Sequence, residues 1–94
     1  MYSREGFNLN MNLKIKLTDA LLGMTYKLKT LDNHNIDVKI PEGINNGDML
    51  RVRGKGVPST SGRGDIIIKI EVDMPNKLSR KTKELIEKLK EEGF

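Results

Sequence analysis

The chain has 94 residues, a formal net charge of +4, one histidine and no cysteine, which excludes a disulfide scaffold, a cysteine nucleophile and thiolate or multi-histidine metal clusters. A domain this small buries only ~60–65% of the surface its extended chain exposes, so one core of Leu, Ile, Val and Met must hold it together. No run is long and apolar enough to cross a membrane, and residues 1–10 lack the apolar segment of a secretory leader. The compartment stays open, with the cytoplasm expected first and an organelle second.

Leu9, Met11, Leu13, Ile15 and Leu17 alternate with Asn10, Asn12, Lys14 and Lys16. Period two over this length predicts a strand with one wet face, placed in an antiparallel sheet. Thr18 to Gly23 breaks the alternation and predicts one helical turn, capped by Thr18 and ended by Gly23. Met24–Leu31 alternates again, as do Ile36, Val38 and Ile40. Together they predict a hairpin with Asn33 as its positive-φ residue and His34 as an exposed turn residue, not a catalytic base.

Pro41–Asp48 reads as a turn-rich connection, Met49–Arg53 as a short strand, and Gly54–Gly64 as a loop. Ile66–Met74 is the most β-prone segment and is apolar on both faces at its start, which predicts a central strand. After Pro75 the pattern changes. Ser79 can cap a helix over Arg80–Glu92, with Gly93 as its stop. The prediction is a mainly β, small antiparallel β-sandwich-like domain over residues 1–76, then a C-terminal helical segment over 77–94.

Residues 1–48 hold six basic and six acidic side chains, and residues 49–94 hold eleven and seven, so the second half supplies the whole excess. Arg51, Arg53, Lys55 and Arg63 stand with no acid between them. Such a cluster suits nucleic acid, an acidic protein tail or plain solvation. Gly54-Lys55-Gly56 and Gly62-Arg63-Gly64 do not have P-loop spacing. Stacking aromatics are also lacking, since Tyr26 alone falls inside a predicted strand. The four cations are therefore expected to be largely exposed, with nucleic-acid binding by the 51–63 segment as the alternative function.

Asp65, Glu71 and Asp73 read as solvated charges, and nothing pairs a nucleophile with a base. No catalytic residue, metal or cofactor is expected. Leu85, Ile86 and Leu89, extended by Leu78 and Phe94, form an apolar stripe on the last helix. It can pack on its own sheet or on a second copy of the chain.

The order of these segments resembles the second carboxy-terminal domain of DnaJ-type co-chaperones, the J-domain proteins, in their bacterial or organellar form. The resemblance is carried by Tyr2–Leu9, Asp19–Gly23, Thr30-Leu31-Asp32, Ile36–Gly43, Gly47-Asp48, Arg51–Pro58, Gly62–Ile66 and Pro75–Ser79. Asn33 stands where the family usually has glycine, and Asn8 where aspartate is more frequent. The resemblance implies a non-enzymatic module that binds unfolded client polypeptides, forms a homodimer and serves the seventy-kilodalton heat-shock chaperone through the full-length protein. Met24, Tyr26 and Leu28 are the expected client-binding residues; Leu85, Ile86, Leu89 and Phe94 are the expected dimer contacts. No J-domain, cysteine-rich zinc module or first carboxy-terminal domain is present in these residues, so the chain is expected to be a segment of a longer protein.

Overall fold

The computed structural model describes residues 2–94; Met1, the first residue of the stretch read above for a leader, lies outside the described residues. The domain is mainly β. In chain order it contains β1 (Ser3–Glu5), β2 (Asn8–Lys16), α1 (Leu17–Leu22), β3 (Met24–Lys29), β4 (Asn35–Ile40), β5 (Met49–Val52), β6 (Pro58–Ser59), β7 (Gly62–Arg63), β8 (Ile66–Asp73) and α2 (Arg80–Glu91).

A four-stranded sheet has the order β1-β2-β8-β5, with β8 inside it as its two-faced apolar start predicts. The antiparallel expectation fails at the centre of this sheet. β2 runs parallel to β8 along its whole length, from Leu9 opposite Ile66 to Lys16 opposite Asp73. The alternating lysines that suggested antiparallel pairing remain compatible with this, because the sheet is mixed and leaves one face wet. Leu9, Met11 and Ile15 of β2 are buried, while Asn12, Lys14 and Lys16 are exposed. β5 and β1 complete the sheet antiparallel at its two edges.

β3 and β4 form a separate hairpin. Thr30 N–H bonds to His34 O at 2.9 Å and Asn33 N–H to Thr30 O at 3.1 Å, with Asn33 at φ 61°. This is a three-residue loop closed by a left-handed residue, the role expected of Asn33. Leu28, Val38 and Ile40 of the hairpin join Leu9, Met11, Ile15, Ile66, Ile68 and Ile70 in one core between the two layers, with Ala20 and Ile44 beside them.

Three further details depart from the sequence reading. α1 begins at Leu17 and its N-cap is Lys16 without a side-chain bond, so Thr18 is not a cap. Ser3–Glu5, unassigned above, is an edge strand. The 54–64 loop contains the small β6–β7 hairpin, threaded tightly against residue 7. Val57 N–H bonds to Phe7 O at 2.9 Å, and a Cβ placed on Gly64 would lie 1.9 Å from that oxygen. Only glycine lets the two backbones approach so closely. Asn8 keeps the acceptor that the more frequent aspartate would supply, taking a bond from Asp65 N–H at 2.8 Å.

The molecule is elongated, 56 × 21 × 21 Å, with a radius of gyration of 16.8 Å. A compact chain of this length would have roughly 12 Å. Ser79 caps α2 as predicted, its hydroxyl accepting from Thr82 N–H at 3.1 Å, and yet no residue of α2 is buried.

Candidate functional site

Three surfaces collect the residues singled out above. The first is an apolar groove of about 470 Å³ between α1 and α2. Leu17 and Leu21 form one wall, Leu78, Leu85, Ile86 and Leu89 the other. Leu85, Ile86 and Leu89 remain 57%, 40% and 39% exposed. The structure thus brings three of the four expected dimer contacts together beside one groove. Phe94 is exposed at the chain end and does not line it. Leu21 and Leu17 belong to the surface as well and were missed. Leu21 and Leu22 are adjacent in a helix of six residues. Neighbours on a helix do not share a face, so one side cannot bury both.

The second surface lies at the start of β3. Met24, Tyr26 and Leu28 share one face of the strand, and that face is turned to the core: Met24 and Tyr26 are half-buried and Leu28 is 1% exposed. Leu28 is therefore corrected from a candidate client contact to a core residue. Met24 instead lines a groove of about 480 Å³ with Leu22, Gly23, Thr25, Ile40 and Pro41. Leu22, 77% exposed, supplies the accessible apolar side chain that sequence reasoning overlooked. The even-numbered residues of β3 bond to β4, following the Thr30–His34 pair. The N–H and C=O groups of Thr25 and Lys27 consequently point away from β4, along an edge no other described strand covers.

The third surface is the basic segment, which the fold divides. Arg51 meets Asp65 at 2.6 Å, and Asp65 also accepts from Gly54 N–H at 2.9 Å. The Gly54 bond first, then Arg51, hold the Asp65 carboxyl below the usual range. Arg63 reaches Gly56 O at 2.9 and 3.1 Å and Asp32 at 3.2 Å. Its side chain is only 29% exposed, so the expectation of a solvated residue is corrected: it ties the hairpin loop to the 54–64 segment. The acids missing from the local sequence arrive through the fold.

The Thr30 hydroxyl donates to Asp32 at 2.6 Å and, ahead of the backbone and Arg63, lowers the Asp32 pKa to about 2. His34 is an exposed turn residue, with Nδ1 3.6 Å from Asp32. Arg53 is exposed as expected, whereas Lys55 is half-buried and corrects that expectation; neither has an ion pair among the described residues. A family model described as the DnaJ C terminal domain matches residues 1–75, and the chain belongs to that family of non-catalytic chaperone modules.

Its likeness is to bacterial chaperones in particular. The chain is 42% identical over 89 residues to the chaperone protein DnaJ of Treponema denticola, covering 94% of this chain and 24% of that protein. It is 39% identical over 93 residues to the DnaJ of Zymomonas mobilis, covering 97% and 25%. With the DnaJ of Thermosipho melanesiensis it shares 41% over 90 residues, covering 94% and 24%. The chain spans about a quarter of the length of these relatives.

Proposed function

We propose that this chain is a client-holding and dimerising module of a DnaJ-type co-chaperone, working with the seventy-kilodalton heat-shock chaperone through the full-length protein. The observation that carries the reading is α2: a capped helix with no buried residue, whose apolar stripe lines a groove its own chain leaves open. A stripe of that kind is stabilised by a second copy, and pairing two copies raises the effective concentration of two client sites on one polypeptide.

The client site is the open edge of β3. An extended segment can add there as a strand through Thr25 and Lys27, with a side chain received by Leu22 and Met24. Methionine suits such a site because its flexible thioether adapts to varied side chains. Titrating an unfolded, leucine-rich peptide into the isotopically labelled chain is expected to shift the Leu22, Met24, Thr25 and Lys27 amides, with micromolar or weaker affinity. Leu22→Asp is expected to weaken that binding. If those four amides stay still while another surface responds, the client assignment is wrong.

A further inference from the structure

The connection between β4 and β5 ends in Asn45-Asn46-Gly47-Asp48, and of the eight asparagines in the chain only Asn46 precedes a glycine. That dipeptide has a chemistry of its own. Glycine carries no side chain to shield its amide nitrogen, which can attack the carboxamide carbon of the asparagine before it. The reaction needs both groups free, and the fold engages both.

Gly47 N–H donates to Ile70 O at 2.8 Å, and Ile70 N–H donates to Asp48 O at 2.8 Å. Two residues thus oppose one residue of β8, in a bulge whose first member, Gly47, stands at φ 90°. Asp48 N–H closes the turn on Asn45 O at 3.1 Å, and the Asp48 carboxylate accepts from Asn45 N–H at 2.9 Å. Beyond the bulge the Asn46 side chain stands in for backbone, its Oδ1 accepting from Val72 N–H at 2.8 Å. The attacking nitrogen and the carboxamide it would attack are therefore each tied to β8. All four turn residues are exposed, and β5 is an edge strand, so the ties sit where a sheet opens at least cost.

We propose that Asn46 is a deamidation site gated by this edge, closed while the bulge is paired with Ile70 and Val72 and reactive when it frays. The Gly47 nitrogen gives up its proton and bonds to Asn46 Cγ. The Cγ–Nδ2 bond breaks, and that nitrogen leaves with the proton as ammonia. Water then opens the resulting succinimide at either carbonyl, leaving aspartate or isoaspartate in place of Asn46. In isoaspartate the backbone runs through the former side chain and is one carbon longer. It cannot set Gly47 on Ile70 O and an acceptor on Val72 N–H together, so the edge stays open. This site is independent of the client and dimer readings.

The test incubates the chain in mildly alkaline buffer, folded and in concentrated urea, and follows position 46 by peptide mass spectrometry. Conversion in the folded chain is expected to be slower than in urea by roughly tenfold or more. Asp48→Ala removes the bond to Asn45 N–H at an exposed position. It is expected to speed conversion several-fold in the folded chain and to leave the rate in urea unchanged. In the isoaspartyl product the Ile70 and Val72 amides are expected to exchange hydrogen faster than in the starting chain. Equal rates in the folded chain and in urea would overturn the proposal. So would no conversion at Asn46 in urea, indifference to Asp48→Ala, or unchanged Ile70 and Val72 exchange in the product.

Discussion

The apolar faces of β3 and α2 end in opposite places. Met24, Tyr26 and Leu28 stand on one face of a strand and pack inward, Leu28 completely. Leu85, Ile86 and Leu89 stand on one face of a helix and stay accessible. The difference comes from what each element can reach. β3 is locked by its hairpin partner over the four-stranded sheet, and Tyr2 fastens its far end by donating to Lys29 O at 3.0 Å. α2 follows Pro75 and the short Asn76–Ser79 connection and meets only one wall of a groove. The chain covers the first stripe with its own sheet and leaves the second accessible.

The first way to break this contrast is to attack the β domain where it has no slack. Gly64→Ala places a methyl group against the Phe7 backbone, and we expect a loss of ~4 kcal/mol or more, read as failure to unfold cooperatively in urea. Wild-type behaviour would mean that the Phe7–Gly64 crossing is looser than it looks. Next comes the core itself. Ile68 is fully buried in the central strand, and Ile68→Ala should lower stability by ~2–5 kcal/mol, with the denaturation midpoint shifted accordingly.

A smaller effect belongs to the loop tie. The Asp32 pKa falls from 3.8 to about 2 in the folded chain, so its ionised form is favoured by folding. That contribution is fully present above 3.8 and is lost as pH falls through about 2. Asp32→Asn should therefore lower the thermal midpoint at neutral pH, and the gap to the wild type should close between pH 4 and pH 2. A gap of constant size down to pH 2 would detach Asp32 from the hairpin's stability.

Least of all should the β domain feel its helix. Leu89→Ala, on the accessible stripe, should change the unfolding free energy of the isolated chain by under ~0.5 kcal/mol at concentrations too low for association. A loss near that of Ile68→Ala would show the stripe packed on its own sheet.

Much of this was legible in the residues. Alternation located β2, β3, β4 and β8, and the capping serine located α2, because a strand's period and a helix cap are both written in neighbouring residues. What stayed hidden depends on distant chain. The parallel direction of β2 against β8 joins residues 57 positions apart, as Leu9 with Ile66, and no period records it. Arg51 and Arg63 looked free because Asp32 and Asp65 come to them through the fold. Leu28 looked like a surface contact because a strand's period tells which residues share a face without telling which face is covered.

The stripe on α2 is tested most directly by sedimentation equilibrium on the chain, alone and with Leu85 and Leu89 both changed to aspartate. Full coverage of the three apolar side chains by a partner would yield ~1.5–3 kcal/mol each in gross transfer energy. Association and ordering consume several kcal/mol of that, so the wild type should be a dimer of roughly micromolar affinity. The Leu85→Asp/Leu89→Asp variant should sediment as a single chain while its β-sheet circular dichroism is unchanged. A wild type that remains one chain at several hundred micromolar would contradict the account, as would a variant that unfolds.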